Sequence, residues 1–442
     1  MKNHKSFILI AVIFSAVFFY HIENVFALEE YSLKDLYILA LKQAEKIKIS
    51  EEDLFIADRN KDKAFSAFLP VVTVFGEYKK YSEEKKATSS FGSFSIQPRS
   101  SSSWGLRIDQ SFSLGGKEIT NYNISKRNIE SNARYLNAVK EEYLFEVASA
   151  YYDYLRSLKY LDITKANVER LKKHLDAAKA RLHAGEVTKT VVLRAEAELS
   201  GAESEKIKAE NSLKIAKAIL ARQVGISEDF LVKEDFEENN NLINLTFSDF
   251  QNMALSERAE LIASDIQKKI AEERVKYAKG SFFPTVSFEG MYLNLDENPS
   301  SPFINDESVY GLLRLNFPVF EGGLRRAEVR EAEAKKRQAI LSYDDLKKTI
   351  SIEVENAYLD MHTQFSILKS LQDQTIFAKD NFNAVTKQFA YGLANSIDVM
   401  DANTLLVTSE RQLSEAKYNY QLSVIKLKRA AGILLKEVLT YK

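Results

Sequence analysis

The sequence predicts a mainly α fold with a smaller β part, built from two tandem copies of one unit. Three observations predict it. The chain repeats itself: shifted by 207 positions, Glu146-Val147 falls on Glu353-Val354, Ala150-Tyr151 on Ala357-Tyr358, Gly185 on Gly392 and Gly225-Ile226 on Gly432-Ile433. Each copy holds two short runs in which apolar residues recur at period two, the pattern of strands. Each copy also holds a very long charged, Leu/Ala-rich run broken by a single glycine, the pattern of a long helical hairpin.

In chain order, residues 1–27 stand apart. Lys2 and Lys5 precede an apolar run from Phe7 to Phe19, and Val25-Phe26-Ala27 ends it with small residues. Charged start, short apolar centre and this ending describe a secretory signal peptide. The apolar run is short for a hydrocarbon core of about 30 Å. The first repeat is placed at 28–226 and the second at 246–433, with an acidic, Asn-rich linker at 227–245 and a C-terminal tail at 434–442.

Each repeat reads as helix, strand, loop, strand, long helix, tip, helix. The first helix is expected to run from Ser32 to Ala67, opened by the capping pattern Ser32-Leu-Lys-Asp35. Strands follow at 71–81 and 103–114, then at 285–295 and 309–319, with Phe68-Leu69-Pro70 and Phe282-Phe283-Pro284 leading in. Val72, Val74 and Tyr78 share one parity in the first strand, and Val286, Phe288 and Tyr292 share it in the third. The polar stretches Ser82–Ser103 and Asn298–Ser308 are read as loops. Strands of about ten residues with one apolar and one polar side match the pattern of a membrane β-barrel, and those six residues are its expected lipid-facing set. Four strands cannot close a barrel, and open edges do not persist in lipid, so a membrane barrel requires several chains to share it. The strand pattern alone also fits two β-hairpins packed on the helices of a soluble protein.

The run from Lys117 to Ala184 contains no Pro or Gly, and its 68 positions span roughly 100 Å as a helix. The descending runs keep a seven-residue spacing: Ala195, Ala202, Ala209 and Ala216 in the first, Ala402, Ser409, Ala416 and Ser423 in the second. Small residues at that period imply closely packed, supercoiled coiled-coil helices. The tips lie near 185–195 and 392–402. At each, the glycine closes one helix and a Ser or Thr a few residues on is positioned to cap the next.

The formal net charge of -1 gives no global basic field for nucleic acid. Zero Cys excludes disulfides and thiolate metal sites. No phosphate-binding loop, dinucleotide fingerprint or nucleophile elbow is present, so neither cofactor, metal nor catalytic residue is expected. His174, His183 and His362 are read as solvated helix histidines, with His183 near enough to the first tip to sense pH.

Together these features resemble the TolC family of bacterial outer-membrane channel proteins. The likeness rests on the leader, the Phe-Leu-Pro and Phe-Phe-Pro strand starts, the Phe-Glu-Gly-Gly turn at 320–323, the paired Ala-Tyr segments and the two tips, above all Gly392 to Ala402. It implies a homotrimer in which four strands per chain contribute to a 12-stranded outer-membrane barrel, continued by long helical hairpins as a periplasmic tunnel. It implies an exit duct of a tripartite efflux pump or type I secretion system, docked to a periplasmic adaptor and an inner-membrane transporter. By the same resemblance Asp398 and Asp401 ring the channel entrance. Leu182, Gly185, Val192, Leu193, Gly392, Ile397 and Val399 are the expected adaptor contacts. The family's polar latch near the tips is missing, because its positions hold Val191, Phe389 and Ala394. Apolar contacts of Val191, Val192, Phe389 and Tyr391 are one way to hold a closed state, and a looser closed state is the other. The reading that competes with the channel is a periplasmic coiled-coil scaffold without a membrane barrel.

Overall fold

The computed structural model describes residues 29–90, 92–227, 230–234, 245–301 and 304–440. The signal peptide expected at 1–27 and most of the acidic linker lie outside the described residues. Two helices of 67 residues each dominate, α3 (Lys117–His183) and α7 (Leu324–Ala390). Each is followed by a shorter partner, α4 (Lys189–Val224) or α8 (Ser396–Ala430). The chain divides into two units, and both draw on both repeats.

One unit comprises Lys46–Val139 and Gln251–Glu353 and holds the main sheet. Its strands are β2 (Val71–Lys80), β5 (Ser100–Ser113), β7 (Thr285–Asn298) and β8 (Glu307–Asn316), antiparallel in that order. The register carries one parity across all four. Val74 pairs with Leu106, Leu106 with Tyr292, and Tyr292 with Val309. Phe112, Val286 and Leu315 form a second apolar row, and Phe288 with Leu313 a third. Because side chains alternate along a strand, the opposite face collects Arg107, Asp109, Glu289 and Arg314. On that face the Phe75 ring covers Gly105, where an added Cβ would lie 2.8 Å from the ring's Cζ.

The stretch expected as a loop at Ser82–Ser103 is corrected: it contains a hairpin, β3 (Lys85–Ser89) with β4 (Gly92–Gln97), and the opening of β5. Its Ser-rich composition hides an alternating pattern because serine serves a solvated strand as well as a turn. The stretch expected as a loop at Asn298–Ser308 is likewise entered by both flanking strands.

The second unit comprises the described residues to Glu45, Lys140–Phe250 and Val354–Lys442. In it β1 (Glu29–Tyr31) pairs in parallel with β6 (Phe230–Val232), a strand inside the segment read as linker. The Tyr151 hydroxyl donates to the Lys233 carbonyl at 2.6 Å beside this pair. The seven-residue seams are the buried stripes. Ala195, Ala202, Ala209 and Ala216 are at most 9% exposed, as are Ala402, Ser409, Ala416 and Ser423. Small side chains there let the helix axes approach, which is why the stripe tolerates little bulk. The tail contains α9 (Leu434–Leu439), whose Glu437 accepts from the buried Lys428 ammonium at 2.8 Å.

The single helix expected over Ser32–Ala67 is corrected to two, α1 (Leu33–Gln43) and α2 (Glu45–Ser66). The backbone turns extended at Ala44 (φ −60°, ψ 124°). The second repeat breaks in the same way at Arg258 (φ −59°, ψ 116°), between α5 (Phe247–Glu257) and α6 (Ala259–Gly280). Any residue adopts that conformation, so neither break carries a Gly or Pro signal. The Ser32–Asp35 capping box forms as read, with Ser32 N–H donating to Asp35 Oδ2 at 2.9 Å.

Candidate functional site: an apolar sheet face and two helical tips

The six strand residues singled out from the sequence share one face of the sheet, since each lies in a cross-strand row of the same parity. Val72, Val74, Tyr78 and Phe288 are exposed, joined by Val309 and Leu313 at 78% and 72%. Val286 and Tyr292 are partly covered. The Trp104 and Tyr292 rings meet at 5.5 Å between centroids. An exposed apolar face of this extent marks a surface that meets lipid or another chain.

Both tips close as glycine-terminated helices. Gly185 has φ 76° and Gly392 φ 73°, a region where any Cβ is strained. At the first, Glu186 N–H bonds to the Arg181 carbonyl at 2.9 Å; at the second, Leu393 N–H bonds to the Gln388 carbonyl at 2.8 Å. The cap of α8 is Asn395, whose Oδ1 accepts from the amides of Ile397 and Asp398 at 2.8 and 3.0 Å. Asp398 completes the box by accepting from Asn395 N–H at 2.9 Å. Thr188 opens α4 without a side-chain cap bond.

The Ser or Thr cap expected at the second tip is therefore corrected. Ser396 is turned inward, and its hydroxyl lies 2.9 Å from His174 Nε2. His174, expected in solvent, is only 9% exposed and packs on the Phe389 ring at 5.3 Å. Burial first, and then the positive charge of Arg181, push its pKa below the ordinary histidine value, so the ring is neutral at neutral pH. His183 is exposed.

Arg181 joins the two hairpins. Its guanidinium donates to the carbonyls of Phe389 and Ala390 at 2.6 and 3.1 Å, the free end of α7, and lies 4.2 Å from the Phe389 ring centroid. A cation there meets the last carbonyls of the helix, Phe389's also accepting from Gly392 N–H at 3.1 Å, and the negative end of the helix dipole. Further along the same seam Asn403 donates to Asn167 at 2.9 Å, and Arg170 pairs with Glu410 at 3.3 Å. None of these pairs was legible from spacing, since each joins residues more than two hundred positions apart.

The tip set divides. Leu193 and Ile397 are exposed at 52% and 47%, Gly185 and Gly392 lie open, and Leu182 is half-buried. Val192 and Val399 are 7% and 4% exposed, Val192 within the hairpin core of Leu175, Ala178 and Ala195. Those two valines are withdrawn from any docking surface. Tyr391 and Leu393, at 82% and 79%, are the more prominent tip residues, and Leu393 was not singled out. Tyr391 therefore takes no part in apolar closure within the chain, whereas Phe389 is buried. Val191 and Ala394 are partly covered, and Asp398 and Asp401 are exposed.

The chain is similar to the outer membrane protein TolC of Vibrio cholerae, 23% identical over 313 residues, covering 68% of this chain and 70% of that one. The TolC of Escherichia coli K12 is 22% identical over 306 residues, which span 66% of this chain and 61% of that protein. Among solved structures the outer membrane protein VceC of Vibrio cholerae superposes with a TM-score of 0.75 at 16% identity, covering 90% of this chain and 96% of that one. At this identity the superposition establishes the fold. The model of the outer membrane efflux protein family matches twice, over residues 36–225 and 251–433. The chain belongs to the outer membrane efflux protein family.

Proposed function

We propose that three copies of this chain form a passive exit duct through the outer membrane, fed by an inner-membrane transporter through a periplasmic adaptor. The observation that carries the reading is the four-stranded sheet with one apolar face and two edge strands, β2 and β8, without outer partners among the described residues. An edge in hydrocarbon leaves its amides and carbonyls without partners, each costing several kcal/mol. Pairing β8 of one chain with β2 of the next removes every edge, and three chains give a twelve-stranded closed sheet. Val72, Val74, Tyr78, Val286, Phe288 and Tyr292 then face lipid, while Arg107, Asp109, Glu289 and Arg314 line water. Energy comes from the transporter, and the duct serves a tripartite efflux pump or a type I secretion system.

In this reading the tips form the periplasmic entrance. Asp398 and Asp401 of each chain supply carboxylates that favour cations. Arg181 takes the place of the polar latch that Val191, Phe389 and Ala394 do not provide, holding the two hairpins of one chain together through the α7 carbonyls. Leu193, Ile397, Tyr391 and Leu393 are the exposed apolar contacts available to an adaptor. Native mass spectrometry of detergent-extracted protein tests the assembly: a mass of three chains is expected. A monomer that stays soluble without detergent contradicts it and supports the coiled-coil scaffold.

A further inference from the structure

Near the tips α3, α7 and α8 enclose a pocket of about 440 Å³, in the size range of small-molecule sites. Its walls are largely apolar, with Leu171, Phe382, Phe389, Val399 and Met400. Its polar lining is one-sided: Arg170, Lys173 and Arg181 contribute three cations, and no lining residue is a carboxylate. Two of these cations are already ion-paired, Arg170 with Glu410 at 3.3 Å and Arg181 with Glu186 at 3.8 Å. Two lining atoms are buried without a hydrogen-bond partner, the Arg170 Nε–H donor and the Asn403 Oδ1 acceptor. Asn403 is 6% exposed, and its amide nitrogen is committed to Asn167. Leaving such groups unpaired costs about 1–3 kcal/mol each. An unmet donor, an unmet acceptor, the Lys173 ammonium at the rim and an apolar body together describe the complement of one kind of molecule.

We propose that this pocket binds a small amphipathic carboxylate carrying a hydroxyl or amide donor. Its acid group meets Arg170 Nε and the exposed Lys173 ammonium, its donor meets Asn403 Oδ1, and its apolar body lies against Phe382, Phe389 and Met400. The occupant bridges the first-repeat helix α3 and the second-repeat helices α7 and α8, so its binding strengthens the same junction that Arg181 ties. The site lies within one chain and its binding is measured without transport, so loss of binding and loss of conductance are distinguishable outcomes. A chain that stays soluble without detergent is titrated in buffer instead.

The test is isothermal titration of 6-hydroxy-2-naphthoate into the full-length exported protein in lipid nanodiscs, with empty nanodiscs as blank. Saturable binding of one molecule per chain is expected. The neutral 6-hydroxy-2-naphthamide should bind at least about tenfold more weakly, the factor that a lost charge-assisted bond implies. Lys173→Gln at the exposed rim should weaken the acid but not the amide. Ala177→Trp, also at the exposed rim, should fill the pocket and abolish both. Heat indistinguishable from empty nanodiscs, equal affinity for acid and amide, or binding unchanged in Ala177→Trp would each overturn the site.

Discussion

Arg181 donates to the Phe389 carbonyl at 2.6 Å while its guanidinium plane covers the same residue's ring at 4.2 Å. One side chain from the end of α3 thus satisfies the end of α7. A charge-assisted bond of this kind contributes about 1.5–3 kcal/mol, toward the lower end here because Arg181 is partly solvated. Arg181→Gln keeps one donor and loses the charge and the stacking. The expected outcome is a higher open probability in single-channel records, by roughly tenfold if about 1.4 kcal/mol of tip closure is lost. Phe389→Leu in the Arg181→Gln background should add only the loss of the ring's packing on His174, since the Arg181 stacking is already gone.

His174 gives this junction a pH dependence. Its folded-state pKa lies below the ordinary value because burial and Arg181 oppose a second charge. As pH falls through about 6.5, the open or unfolded ring takes up a proton first, so the closed tip loses stability below that point. Above it the ring is neutral in both states and contributes no slope. Open probability should rise between neutral pH and about 5. In His174→Gln, which retains a partner for Ser396, the profile should flatten. A slope unchanged by that substitution would assign the sensing elsewhere, with the exposed His183 the next residue to replace.

The two tip aspartates carry different structural duties. Asp398 closes the Asn395 capping box, whereas the exposed Asp401 has no part in it. Replacing Asp398 by Ala therefore removes a cap, at about 0.5–2 kcal/mol, as well as a charge. Asp398→Gln with Asp401→Asn removes both charges and leaves a residue type that serves capping boxes at that position. Reversal potentials under a salt gradient should show reduced cation preference in this double variant. Selectivity equal to wild type would remove both residues from the entrance.

The sheet register makes a parity prediction. Val74→Lys and Phe288→Lys place an ammonium on the apolar face, at about 2–4 kcal/mol near a bilayer midplane. Thr73→Lys and Ser287→Lys place it on the polar face beside Arg107 and Arg314. Outer-membrane fractionation should show the first pair poorly inserted and the second pair tolerated. Equal tolerance of both parities would exclude a lipid-facing role for these rows.

Much of this architecture was readable because it is periodic. The alternation through Val72, Val74 and Tyr78 and the seven-residue seam from Ala195 to Ala216 both became faces of the fold, since a face needs only a regular side-chain period. What was not readable depends on partners distant in sequence or on backbone turns open to any residue. His174 looked solvated because its neighbours Lys172, Lys173 and Asp176 are charged; the ring is buried by Phe389 and Ser396, more than two hundred positions away. The breaks at Ala44 and Arg258 carry no helix-breaking residue, yet they occupy equivalent places in the two repeats. Repetition alone could not locate them, because a duplicated sequence is silent on where both copies bend. The β3–β4 hairpin was hidden in serine and lysine, which resemble a loop when neither face is buried.

The most direct test of the exit-duct account is single-channel recording of the purified, detergent-extracted protein in a planar bilayer. Discrete, cation-selective conductance steps that enlarge in Arg181→Gln are the predicted result. A folded protein that yields no steps and remains soluble without detergent would contradict the channel.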